Sequence, residues 1–394
     1  MKKVYLFSTV FLWVANEKGL LYNGSQGTYL RFRLNNDAIK DVCSQWQNLQ
    51  NLYVAKYDEQ SVDDDFIAFI RAIEENGLGK LVDGDQPVVS IPPYLKIRHD
   101  ADKFRSWGAD PKAEPILPYL THLKVFCGGA GDGRDWWKQV AYPMTSTVKL
   151  EAARFFGFLE QCDKQTLKHI DLIISEWDIH QISVFTEGLA GIKNKTRFFF
   201  AHPDPSFRNE ILDSLVAKGY AVTQVCRPVF SLKKVAWIPD RDYRLLVRSE
   251  EDYTLWESLL QESAPRQYVF DPIADDNVDF FRNNVFISEE DILARKLSRN
   301  DIFRHQALNL FHFGVFYVFP DGTIHPAADA PAIGTLDDSV YQVIIHELEE
   351  NHAWRQTRRL KSPCKDCIYH DLCPSPSVYE RILGTPSCYF REGI

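Results

Sequence analysis

Apolar and polar positions along this chain change period several times, and each change marks an element. Residues 4–15 and 20–32 are rich in aromatic and β-branched side chains and are separated by Asn16-Glu17-Lys18-Gly19, the pattern of a hairpin. Asn23-Gly24 and Gly27 place a turn or bulge in the second arm. Asn36-Asp37 caps a helix over 38–47, and Asp63–Asp65 opens another. In that second helix Phe66, Phe69, Ile70 and Ile73 recur at i, i+3, i+4 and i+7 before Asn76-Gly77 stops it. Turn-rich residues 83–85 and 91–93 read as a linker. From 115 to 310, apolar runs alternate with amphipathic ones. Strands are expected at 120–126, 170–175, 197–202, 221–230, 243–248 and 267–272, and helices at 148–161, 179–190, 206–218 and 250–262. Apolar strands joined by helical crossovers mean a parallel sheet, and about six repeats predict a partial or full barrel. Further on lie a capping box at Ser288-x-x-Asp291, an aromatic strand over 311–319, a Pro320-Asp321-Gly322 turn, a return strand over 323–325 and a helix over 340–352.

Composition narrows the setting. The chain has 394 residues, 45% of them hydrophobic and 25% charged, with a formal net charge of −9. That length suits two or three domains with real cores, and that charge gives no electrostatic case for nucleic acid. No run of apolar residues is long enough to cross a membrane. Residues 1–7 read as a strand rather than a signal peptide, because Ser8 and Thr9 break the apolar stretch and no small-residue cleavage site follows. A cytoplasmic protein with reduced thiols is the expectation.

The chemistry concentrates in the cysteines. Cys43, Cys127, Cys162 and Cys226 stand singly, and Cys162 and Cys226 read as buried or incidental thiols rather than ligands. Cys364, Cys367, Cys373 and Cys388 cluster near the end, in a C-x2-C-x5-C run with one later cysteine. Thiolates so grouped hold zinc or an iron–sulfur cluster. His169, His180 and His202 are isolated, and no nucleophile–base constellation is visible. The loop after the first barrel strand, Gly128-Gly129-Ala130-Gly131-Asp132-Gly133, fits neither phosphate-binding fingerprint and reads as a flexible loop.

The hairpin, the Asp321-Gly322 turn, the Gly334-Thr335-Leu336 step, the following helix and the cysteine run together resemble a SPASM domain, the C-terminal extension of radical peptide maturases. The resemblance implies a [4Fe–4S] cluster on Cys364, Cys367, Cys373 and Cys388, with zinc the alternative. Positions where a second auxiliary cluster would take ligands hold Ala327 or Ala328 and Ser377. Radical S-adenosylmethionine enzymes carry C-x3-C-x2-C after the first strand of a partial (β/α)6 barrel. Counted from Cys127, that spacing meets Gly131 and Arg134, which supply no thiolate. Ser175-Glu176-Trp177, after the second strand, likewise departs from the glycine-rich turn of such enzymes. The chain is thus similar to a radical-enzyme barrel that has lost its catalytic site, and no S-adenosylmethionine is expected. Trp136 and Trp137 are expected to fill the emptied cavity.

The layout of residues 1–90 resembles the winged-helix peptide-recognition domain of ribosomal peptide maturation systems, which hold a leader peptide as an added strand. That implies peptide contacts near the sheet edge and second helix, with Tyr22, Tyr29, Phe32, Phe66 and Phe69 as candidates. Taken together, 1–90, the barrel at 91–310 and the cysteine domain at 311–394 resemble the pseudo-radical-enzyme proteins of Bacteroidales cassettes that modify Gly-Gly leader peptides. The expected partners are a precursor peptide and a radical maturase. The competing readings are an enzyme using the remaining cluster for redox or substrate ligation, and a structural zinc protein.

Overall fold

The computed structural model describes residues 1–95, 116–129, 146–174 and 178–388. The expectations at Gly131, Arg134, Trp136, Trp137 and 175–177 lie outside the described residues.

The first arm of the expected N-terminal hairpin is two strands, β1 (Lys2–Leu6) and β2 (Val10–Ala15). They separate because Phe7–Val10 closes a turn through Val10 N–H to the Phe7 carbonyl at 2.9 Å. β3 (Lys18–Asn23) and β4 (Tyr29–Arg33) follow β2 as an antiparallel meander. Asn16 and Glu17, both at positive φ, make the β2–β3 turn, a backbone twist that suits paired strands. β1 is the central strand of a second sheet, flanked antiparallel by β5 (Val54–Tyr57) and β6 (Gly79–Asp83). Helices Asp37–Gln47 and Asp64–Glu75 are capped by Asn36 and Asp63, whose side chains accept from first-turn N–H groups. Val4, Leu21, Trp46, Phe66, Ile70 and Ile73 are among the residues of their shared core.

The chain is mixed α/β, built on a large parallel sheet. β7 (His122–Phe126) is followed by a two-stranded ribbon, β8 (Gly128–Gly129) and β9 (Ser146–Lys149). β10 (His169–Ile174), β11 (Thr196–Ala201), β12 (Ala221–Cys226), β13 (Asp242–Val247) and β14 (Gln267–Pro272) then add to β7 in chain order, all parallel. Helices Ala152–Gln161, Ile179–Gly188, Glu210–Ala217 and Glu250–Glu262 lie between strands. The first starts four residues later than its apolar pattern predicts, because Val148 belongs to β9.

A feature the sequence pattern does not announce lies on the far side of β7. β15 (Val315–Val318) pairs parallel to it, so the predicted aromatic strand joins the large sheet. β16 (Thr323–His325) and β17 (Gly334–Thr335) continue the sheet antiparallel. Gly322, at φ 87°, permits the predicted turn between β15 and β16.

Strand alternation divides the sheet's faces. Leu123, Val125, Ile170, Leu172, Phe198 and Phe200 pack with helix residues such as Phe155, Phe158 and Leu212. The opposite face carries Phe126, Ile173, Phe199, Val225 and Leu246, packed in one cluster with Ile273, Tyr317 and Phe319. That second face also carries buried polar groups. Asp171 accepts from both His122 and Arg197, and Asp271 accepts from Arg244 and from the Tyr379 hydroxyl.

Candidate metal centre

The segment carrying the cysteines is short of regular structure, so side-chain anchors shape it. Cys364 opens a 3-10 turn, and Cys367 N–H donates to the Cys364 carbonyl at 3.0 Å. The chain then folds back, with Cys373 N–H on the Tyr369 carbonyl at 2.9 Å. Cys388 arrives from the far end of the sequence through a parallel bridge to Ile287, where Ile287 N–H meets the Ser387 carbonyl at 3.3 Å. Cys364 and Cys373 are buried, and Cys367 and Cys388 are half-buried.

These four thiols share one environment. Burial pushes Cys367 up to about 11, and Cys364 and Cys388 push the same way, against the Tyr369 N–H and Arg358. Burial also drives Cys373 well above the thiol range, and all three other cysteines add to the rise. Two donors face sulfur. Tyr369 N–H lies 3.5 Å from Cys367 Sγ, and Arg358 Nη1 lies 3.4 Å from Cys364 Sγ. Such donors favour thiolates. Arg358 is itself held by Glu380, at 2.7 Å from Nη2 to Oε1. The donor set therefore fits a thiolate-selecting metal or cluster in kind. It is not drawn to ligating distance, for among the described residues no three His, Cys, Asp or Glu side chains are grouped to hold an ion.

Asp371, between the second and third clustered cysteines, organises the loop. It is fully buried. Its carboxylate accepts from Trp13 Nε1 at 2.8 Å, Gln306 Nε2 at 2.9 Å, and Arg359 Nε and Nη2 at 2.7 and 2.5 Å. Its backbone carbonyl contacts His305 Nδ1 at 2.9 Å. Burial opposes ionisation here, yet the Arg359 and His370 hydrogen bonds outweigh it and hold the carboxyl well below its ordinary range. One side chain thus ties β2, the helix Arg299–Ala307 and the cysteine loop together. Trp13, Phe11 and Tyr22 pack in the same core as Ile368, Leu372 and Cys373.

The remaining sequence candidates fall apart from this centre. Tyr22 is buried, and its hydroxyl bonds Leu297, accepting from its N–H at 2.8 Å and donating to its carbonyl at 3.1 Å. Phe66 and Phe69 belong to the N-terminal core, and Phe32 is half-buried against Phe69 with ring centroids 4.8 Å apart. Tyr29 is exposed on β4. β4 pairs with β3 alone among the described strands, so its outer edge is a strand edge. Cys127 is 3% exposed and belongs to the core on the helix-covered face, with Leu123 and Val125. Burial pushes its thiol up to about 12. Cys43, Cys162 and Cys226 are buried thiols as well.

Asp371, Arg358, Arg359 and Glu380 were not visible as site residues in the linear pattern. The available signal was an Arg-Arg pair just ahead of the first clustered cysteine and an acidic residue inside the cysteine loop.

No known family matches the chain, and no curated protein matches it. Solved structures do resemble it. SuiB of Streptococcus suis bound to the precursor peptide SuiA is 12% identical, covering 99% of both chains with a TM-score of 0.45. SuiB bound to S-adenosylmethionine is 11% identical over the same shares, at 0.44. Native anSMEcpe with bound AdoMet and Cp18Cys peptide is 11% identical, covering 67% of this chain and 95% of that one, at 0.42. No helix among the described residues is long and apolar enough to cross a membrane.

Proposed function

We propose that the chain is a non-catalytic, radical-enzyme-like component of a ribosomal peptide maturation system, of the kind serving Gly-Gly leader peptides in Bacteroidales. In this reading residues 1–90 are a winged-helix-like recognition domain for the precursor's leader. Residues 91–310 are a partial (β/α)6 barrel without a catalytic cluster. Residues 311–394 are a SPASM-like domain holding one [4Fe–4S] cluster on Cys364, Cys367, Cys373 and Cys388. The protein works in the cytoplasm beside an authentic radical maturase.

The observation that carries this reading is the setting of Cys127. A catalytic cluster after the first barrel strand needs three thiolates on the strand-end loop. The spacing from Cys127 supplies no further thiolate, and Cys127 itself lies in the helix-side core, where burial pushes its thiol up to about 12. The other face of the sheet, where a reacting ligand would lie, is occupied near the strand ends by Phe126, Ile173, Phe199 and Phe319.

A cluster bound at the four C-terminal thiols would supply a covalent cross-link between Cys388 and the 364–373 loop, and a redox centre. The chain's own residues do the rest. Arg358 offers an N–H to Cys364, and Asp371 holds the loop against β2. The outer edge of β4 offers backbone groups to an extended peptide.

The test is reductive cleavage of S-adenosylmethionine by the full chain, purified anaerobically and given a strong reductant. No 5′-deoxyadenosine above the protein-free control is expected. Its formation would show an active radical enzyme and end the non-catalytic reading.

A further inference from the structure

Beside Cys364 lies a cavity of about 120 Å³, lined by Arg358, Lys361, Ser362, Arg381 and Thr385 among others. Its cations outnumber its carboxylates. Arg358 is paired with Glu380, and Arg381 with Asp329 at 2.5 Å. Lys361 makes no ion pair among the described residues, which leaves one positive charge in excess over these five groups.

Burial, more than charge, sets the titration of the neighbouring groups. Burial lowers the pKa of Lys361, and Arg381 lowers it further. His312, whose Nε2 is 3.5 Å from Arg381 Nη2, is held down near 3 by burial and then by Arg381, Lys124 and Lys361. A second observation points into the same space. Thr385 is 7% exposed, and its hydroxyl has no hydrogen-bond partner among the described residues. A buried hydroxyl without a partner is unfavourable, and a bound acceptor would relieve it. The volume exceeds what a single water needs and is enough for a carboxylate group or a tetrahedral oxyanion.

We propose that this cavity is a binding site for a small oxyanion, held by the Lys361 ammonium, the Thr385 hydroxyl and the positive charge of Arg358 and Arg381. A peptide carboxylate and free inorganic phosphate share the chemistry it recognises. The site goes beyond the maturation reading, because it requires no leader peptide; Cys364, a cluster ligand in that reading, lines the same cavity.

The test titrates the full chain calorimetrically with sodium phosphate and, separately, sodium acetate, at ionic strength held constant with chloride. Saturable one-to-one binding of at least one anion below roughly 10 mM is expected. Phosphate binding alone assigns an inorganic source, and acetate binding alone assigns a carboxylate. Lys361→Gln should weaken binding by about tenfold. Thr385→Val, which keeps the side chain's shape, should weaken it severalfold with an unchanged circular dichroism spectrum. No saturable heat with either anion overturns the proposal, as does wild-type affinity in both variants. Iron and zinc contents measured on the same samples keep this outcome separate from that of the cluster reading.

Discussion

Replacing Asp371 with Asn should loosen the cysteine loop from the N-terminal strands, and the size of the effect follows from the geometry. Asp371 Oδ2 accepts from Trp13, Gln306 and Arg359, and Oδ1 accepts from Arg359 Nε. The less costly Asn orientation keeps oxygen at the Oδ2 position and turns NH2 toward Arg359 Nε. One charge-assisted bond is then lost, and the others become bonds to a neutral acceptor. A hydrogen bond to a charged group contributes about 1.5–3 kcal/mol and a neutral one about 1. The Arg359 side chain is 40% exposed, so water partly compensates it, and the net cost should be about 3 kcal/mol. Trp13→Phe removes a single donor and should cost about 1.5 kcal/mol. Because the two residues share a bond, the double variant should be less destabilised than the sum by about 1 kcal/mol. Urea unfolding followed by far-UV circular dichroism measures all three, and thiol modification kinetics report whether Cys367 and Cys373 become accessible. Additivity within about 0.5 kcal/mol would refute the claim that Asp371 couples β2 to the cysteine loop.

Tyr22→Phe strands both the N–H and the carbonyl of Leu297, and urea unfolding should show a loss of about 2 kcal/mol. His312 predicts a pH dependence. Its folded pKa, near 3, lies below the unfolded value near 6.5, so its contribution is fully present above 6.5 and is lost as pH falls toward 3. His312→Gln should flatten the stability profile across that window, and an unchanged profile would contradict the burial argument. Cys127→Ala opens a small space in the helix-side core and should cost about 1–2 kcal/mol, while iron content per chain stays at the wild-type level. A fall in iron would place Cys127 at a cluster after all.

Much of the fold is legible because its strands are apolar runs bounded by clear breaks. All six strands expected between 115 and 310 appear in the large sheet, and the helix Glu250–Glu262 has its predicted bounds. Where expectation and structure part, a side chain or a pairing outside the local window decides. Residues 148–149 read as helix but belong to β9, whose Lys149 pairs with Gly128 and Ser146 with Gly129. The aromatic strand over 311–319 reads as one arm of a hairpin. It begins only at Val315, after a turn in which Asn309 caps Phe311 and accepts from Phe313 N–H, and it also pairs with β7, nearly 200 residues away. The aromatic candidates at 22, 66 and 69 show the limit of composition, since helical or strand spacing marks a buried face before it marks a binding one. The four cysteines were visible as a group in the sequence. Their anchors were not, because Trp13 and Asp371 meet only in the folded chain.

The most direct measurement is iron, sulfide and zinc content of the full chain purified without oxygen, beside Cys373→Ala. A [4Fe–4S] centre on Cys364, Cys367, Cys373 and Cys388 predicts about four iron and four sulfide per chain, little zinc, and loss of both iron and sulfide in the variant. One zinc per chain without sulfide, or full iron retained in Cys373→Ala, would contradict it.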